Sequence, residues 1–106
     1  MEKQSRKETI IGMLETEPQD VFLNYALAME FLAENDFINV ELQLQKTLHL
    51  KEDYLPCFYQ LGQVYEKLND ANSAISYYQK GVALAKKTNN TKALNELNEA
   101  IWLLED

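Results

Sequence analysis

The chain has 106 residues, 46% hydrophobic and 25% charged, the balance of a soluble globular protein with a modest core. Three Gly and two Pro leave little room for long irregular loops, so the expected fold class is all-α. Ten Lys and Arg against seventeen Asp and Glu give a net charge of −7, which repels a phosphate backbone and argues against nucleic acid as a partner.

The N-terminal stretch MEKQSRKETIIGMLE mixes charges and lacks the apolar centre of a secretory signal. Within it, Ser5 and Glu8 form a capping-box pattern ahead of Ile10 and Ile11, which predicts a helix over 6–16. Asp20 is a candidate cap for a helix over 20–34, where Leu27 and Phe31 recur at helical spacing. Asn35-Asp36 ends that helix and opens another over 37–51, asparagine tolerating the left-handed conformation and aspartate accepting first-turn N–H groups. Asp53 is the candidate cap of a helix over 54–68, with Pro56 in a first turn where its missing N–H breaks no bond. That helix carries Leu61, Val64, Tyr65 and Leu68, but also Gly62, which costs about 1 kcal/mol relative to alanine in a helix interior. Asn69-Asp70 makes a second turn into a helix over 71–87, with Ile75, Tyr78 and Val82 on one face and Lys86 and Lys87 complementing the dipole at its end. A last helix spans 91–105, making six. No apolar run approaches the length of a membrane span, so no membrane partner is expected.

Shifted by 34 residues, the chain matches itself. NYALAMEFLAENDF falls beside FYQLGQVYEKLNDA, and VELQLQKTLHL beside AISYYQKGVAL. Tyr25 meets Tyr59, Leu27 meets Leu61, Asn35-Asp36 meets Asn69-Asp70, Gln45-Lys46 meets Gln79-Lys80 and Leu50 meets Leu84; Ala28 meets Gly62. Each unit is therefore two helices joined by a short turn. The expected layout is a single helical domain over 1–106: an N-terminal capping helix in 1–19, one repeat in 20–53, a second in 54–88 and a C-terminal capping helix in 89–106. The outer helices cover the apolar faces that a stack of repeats leaves at its ends.

These residues resemble the tetratricopeptide repeat family, in the form of a small bacterial-type member. Phe58, Leu61-Gly62, Tyr65, Ala74, Tyr78 and Gly81 carry the resemblance in the second unit. In the first, Leu27-Ala28 and Phe31 fit, while Asn24 stands where an aromatic is usual and Val40 and Thr47 where alanine is. Pro18 sits where the family places its closing proline. The resemblance implies a right-handed α-solenoid of antiparallel helix pairs, and it implies that the two helices of a unit cross most closely at Ala28 and at Gly62, where a bulky side chain would wedge them apart. Aligning Leu94, Leu97 and Ile101 with the first-helix pattern requires a two-residue insertion at Thr88-Asn89-Asn90, and that phase decides whether Trp102 is buried or faces the groove.

Such arrays bind on the concave side, lined by the first helix of each unit. By position, the resemblance assigns Phe22, Tyr25, Met29 and Leu32 to that side from the first unit, Tyr59, Gln60, Gln63 and Glu66 from the second, and Lys92, Asn95, Glu99 and Trp102 from the last helix. Aromatic anchors and methionine suit a groove for a peptide or helix of another protein. The same side chains also fit a core in which they fold back onto the capping helices. One branch of the family grips acidic C-terminal peptides with lysines, an arginine and asparagines in this groove; here Tyr25 and Met29 occupy two of those places and only Lys92 is compatible.

Catalytic signals are thin. His49 and Cys57 are the only histidine and cysteine, with no third group to orient them, and they cannot supply a zinc site. A single cysteine forms no internal disulfide and suits a reducing compartment. No phosphate-binding glycine loop occurs. Glu96 with Glu99, and Glu30 with Glu34, share helix faces and read as solvated surface rather than acid-base pairs. The expected function is a non-catalytic, cytoplasmic adaptor without cofactors that binds a protein or peptide; the alternative is a homodimer whose apolar groove mediates self-association.

Overall fold

The computed structural model describes residues 5–105; the first four residues of the N-terminal stretch and Asp106 lie outside the described residues. Among the described residues six helices follow in order: α1 (Arg6–Thr16), α2 (Val21–Ala33), α3 (Phe37–Leu50), α4 (Leu55–Lys67), α5 (Ala71–Lys87) and α6 (Thr91–Leu104). Among the described residues there is no strand. The fold is an all-α helical repeat. The chain divides into two compact units, Met1–Glu52 with α1 to α3, and Asp53–Asp106 with α4 to α6.

The caps explain where the helices begin. Ser5 Oγ accepts the Glu8 N–H at 3.1 Å, and Asp20 Oδ1 accepts the Leu23 N–H at 2.8 Å. Asp36 and Asp70 cap α3 and α5 through the N–H groups of Asn39 and Ser73. Asp53 does not cap α4. That helix starts at Leu55 behind Tyr54, which gives no side-chain cap, and the Tyr54 carbonyl takes the Cys57 N–H at 3.1 Å. Asp53 is thus one residue out of register with the first turn, and Pro56 has already removed one of the donors a cap would satisfy.

Three turns share one geometry. Asn35, Asn69 and Asn89 adopt φ of 57°, 61° and 56°. In each case the following N–H closes back on the carbonyl three residues inside the helix end: Asp36 on Phe31, Asp70 on Tyr65 and Asn90 on Ala85. This is the Schellman closure, with asparagine in the place glycine commonly takes. At the third turn, Asn90 Oδ1 accepts the Ala93 N–H and so caps α6.

In the first unit, α1 packs on α2 and α2 on α3. Ile10, Ala28, Val40 and Leu44 form the buried apolar set, and Asn24 and Thr47 are buried with them. Lys7 ties α1 to α2, its ammonium 3.0 Å from Glu34 and 4.6 Å above the Phe31 ring, while Arg6 lies 3.6 Å from Glu30. In the second unit, α5 packs against both α4 and α6 around Ala74, Tyr78, Ala85, Leu97 and Ala100.

Gly62 is where α4 and α5 meet. A Cβ there would fall 2.1 Å from Tyr78 Cε1, inside contact distance. The Tyr78 ring therefore lies directly on the α4 backbone, and the helix penalty of Gly62 is offset by that close approach. Gly81 plays a milder version of the same part, with Leu97 and Phe58 atoms 3.0 to 3.1 Å from the missing Cβ.

Candidate functional site

The second unit holds an open cavity of about 360 Å³ lined by Tyr59, Gln63 and Glu66 from α4 and by Glu96, Glu99, Ala100 and Leu103 from α6. Both stripes follow helical spacing. Three or four residues apart, 59, 63 and 66 share one face of α4, and 96, 99, 100 and 103 share one face of α6.

Under the α4 stripe lies Tyr78, fully buried, its ring centroid 6.0 Å from that of Tyr59. Its hydroxyl donates to Glu66 Oε2 in a short contact. Gln63 Nε2 donates to Tyr78 Oη at 2.6 Å and reaches Glu66 Oε2 at 3.5 Å. Burial first, then the bond to the neighbouring Glu66 carboxylate, push the Tyr78 phenol well above the ordinary tyrosine value, so it stays a donor throughout the physiological range. The packing residue of α5 thereby also fixes two side chains of the cavity.

Of the residues expected on the concave side, Tyr59, Gln63, Glu66 and Glu99 come together in this cavity. Gln60 is half-buried on α4 outside its lining, and Lys92 and Asn95 are exposed on α6, also outside it. Trp102 is 72% exposed, so it is not a core residue; it lies next to the lining residue Leu103, itself 69% exposed. In the first unit, Phe22 on α2 is 68% exposed, while Tyr25, Met29 and Leu32 are half-buried on the same helix.

Sequence reasoning did not assign Glu96, Ala100, Leu103 or Tyr78 to the site. The first three share a helix face with Glu99, but helical spacing alone does not say which face of α6 is turned toward α4. Tyr78 carried no signal, because its hydroxyl enters the site from beneath.

The other candidates for chemistry are placed elsewhere. Cys57 is fully buried and its thiol is pushed up to about 12, so it is protonated at neutral pH. His49 is exposed in the last turn of α3. Glu30 and Glu34 are engaged by Arg6 and Lys7 of α1. Among the described residues no group of three His, Cys, Asp or Glu is arranged to hold a metal ion, and no helix is long and apolar enough to cross a membrane.

The tetratricopeptide repeat family model matches residues 55–88, the α4 and α5 pair. No curated protein matches the chain. Among solved structures, the solution structure of a tetratricopeptide repeat domain protein from Salinibacter ruber is 32% identical, with 83% of this chain and 89% of that one covered and a TM-score of 0.77. A crystal structure of the tetratricopeptide repeat domain protein from the same organism is 30% identical, covering 80% of this chain and 94% of that one with a TM-score of 0.75. A protein of Bordetella parapertussis, solved in solution, shares the fold at 20% identity and a TM-score of 0.86, over 96% of this chain and 89% of its own. Repeats of this kind generally mediate protein-protein interaction and are typically non-catalytic scaffolds. With its helix pairs of one pattern, its Gly62 and Tyr78 contact and these likenesses, the chain belongs to the tetratricopeptide repeat family.

Proposed function

We propose that this chain is a non-catalytic interaction module that holds a segment of a partner protein, with the cavity of the second unit taking part of that segment. The observation that carries the reading is the convergence of Tyr59, Gln63, Glu66 and Glu99 on one open, partly aromatic cavity of about 360 Å³. Exposed Phe22 on α2, with half-buried Tyr25, Met29 and Leu32, offers the first unit an apolar contact face of its own. The single cysteine, buried in α4, fits a module of a reducing compartment such as the cytoplasm.

The test compares what is captured by the wild-type chain and by a Tyr59→Ser, Glu99→Lys chain, with a Tyr25→Ser, Met29→Ser chain as a second arm. Partners held by the wild type and lost from the variants are expected. Identical partner lists for all three baits count against the reading.

A second reading, self-association, draws on one observation: Trp102 and Leu103 are adjacent and exposed on α6. Light scattering over a hundredfold range of concentration decides it, since a strict monomer throughout removes the homodimer.

A further inference from the structure

We propose that the cavity between α4 and α6 selects a basic side chain of the partner segment, arginine above all. The inference rests on the interaction reading above and gives that site its chemistry.

Charge is the first ground. Glu66, Glu96 and Glu99 line one cavity, and among the described residues no cation pairs with any of them; the ion pairs Arg6 with Glu30 and Lys7 with Glu34 belong to the first unit. Carboxylates lining one cavity add their negative potentials at an incoming cation, which meets there no positive side chain to compete with it.

The hydrogen-bonding inventory narrows the occupant further. Gln63 directs its amide donors at Tyr78 and Glu66, and the Tyr78 hydroxyl is spent on Glu66. Apart from the Tyr59 hydroxyl, the polar groups left to face a ligand are acceptors: carboxylates and the Gln63 carbonyl. A lining of acceptors asks for a donor-rich partner. Since the acidic groups do not converge as metal ligands do, a broad organic cation fits them better than a point charge.

The walls favour guanidinium over ammonium. Tyr59 offers a ring on which a planar cation can stack, and Ala100 and exposed Leu103 offer apolar surface for the methylene stem. Buried Tyr78 holds Gln63 and Glu66 in place before anything binds, so little ordering is left for the ligand to impose.

The test is an NMR titration of the isotope-labelled full chain with a capped alanine-arginine-alanine peptide, its citrulline counterpart and its lysine counterpart. Citrulline keeps the shape of arginine and removes its charge. The arginine peptide is expected to shift the Gln63 side-chain amide and the methyl groups of Ala100 and Leu103, to bind at least tenfold more tightly than the citrulline peptide and more tightly than the lysine peptide, and to lose at least tenfold in affinity for a Glu96→Gln, Glu99→Gln chain. Both substituted residues are exposed, and the unliganded spectrum of the variant reports that it folds. Equal binding of the citrulline or lysine peptide, shifts spread over distant carboxylates such as Glu41 and Glu52, or unchanged affinity of the variant overturns the proposal. If the Tyr59→Ser, Glu99→Lys chain loses its partner while the arginine peptide leaves the cavity untouched, the interaction reading survives and this one falls.

Discussion

The two repeats fill the same template with different volumes. In the second, Gly62 on α4 receives the Tyr78 ring from α5; at the matching positions of the first, Ala28 and Leu44 are both fully buried. The smaller backbone residue goes with the larger partner, and the larger with the smaller. Phe58 and Gly81 of the second unit correspond to Asn24 and Thr47 of the first, and there the substitution is chemical as well as steric. Asn24 Nδ2 donates to the carbonyls of Pro18 and Asp20 at 3.1 and 2.8 Å, and its Oδ1 accepts from Gln43 Nε2 at 2.7 Å. What the repeat conserves is therefore the filled volume and the satisfied polar group, not the residue. The outer faces diverge as well: Tyr25, Met29 and Leu32 on α2 stand where α4 has Tyr59, Gln63 and Glu66, so one unit offers an apolar stripe and the other an acidic one.

The sharpest way to break this comparison is at Gly62. Gly62→Leu forces a branched side chain into the Tyr78 ring and should cost more than about 3 kcal/mol, seen as a large fall in the thermal midpoint. Gly62→Ala should cost about 2 kcal/mol, even though alanine is the better helix former by about 1 kcal/mol. In a Tyr78→Leu background, which gives the second unit the first unit's pair, the same Gly62→Ala change should become neutral or stabilising. A cycle of the four proteins by chemical denaturation measures this reversal, and additive effects would mean that the ring and the glycine do not share one space.

Next in size is the polar half of the comparison. Asn24→Ala removes a buried side chain and leaves the half-buried Gln43 amide without its acceptor and the Pro18 carbonyl without that donor, and should cost about 1–3 kcal/mol in the same assay. Asn24→Ala made together with Gln43→Ala should cost less than the sum of the two single changes, because the second substitution removes a donor that the first had orphaned.

Much of this was legible beforehand, for identifiable reasons. The 34-residue self-match, the Asn-Asp turns and the Ser5 and Asp20 caps depend on local chain chemistry, which the order of residues specifies directly, and all six helices fall within a residue of their expected limits. Gly62 was legible as a close approach because an interior glycine lacks any local benefit. Asp53 misled because a capping residue is defined by where the helix starts, and Pro56 with the Tyr54 carbonyl moved that start by one residue. The two-residue offset in α6 was readable from its apolar residues: α4 starts at Leu55 and α6 at Thr91, and buried Leu97 and Ala100 take the places of Leu61 and Val64. Which residues of α6 face α4 was not readable in this way. Glu96, Ala100 and Leu103 enter the cavity through the tertiary placement of the helix, and the role of Tyr78 depends on a hydroxyl bond to Glu66 that no sequence spacing announces.

Gly81 should give a smaller effect than Gly62 and so grade the comparison. Its missing Cβ would meet Leu97 methyl groups and Phe58 Cβ at 3.0 to 3.1 Å, distances that a small shift relieves. Gly81→Ala should therefore cost under about 1 kcal/mol, the helix gain of alanine offsetting most of the crowding. A loss equal to that of Gly62→Ala would show that α5 is as tightly confined on its α6 side as at the Tyr78 ring.

The smallest effect separates the caps. Asp70 Oδ2 accepts the Ser73 hydroxyl at 2.7 Å and Oδ1 accepts the Ser73 N–H at 3.0 Å, and these bonds, the hydroxyl first, hold its carboxyl below the ordinary 3.8. A carboxyl lowered on folding favours the folded state above its unfolded value and ceases to do so as pH falls through the folded one. The Asp70 contribution should thus be intact at neutral pH and fade in acid below that range. Ser73→Ala should move the Asp70 titration, followed by carboxyl carbon NMR, up toward its ordinary value while the backbone bond keeps part of the depression. In the first unit the matching second donor is the Asn39 amide, 2.7 Å from Asp36 Oδ2. An Asp70 titration unchanged by Ser73→Ala would assign the depression to the backbone N–H alone, and the two repeats would then owe their second helices to the aspartate rather than to the residue three positions on.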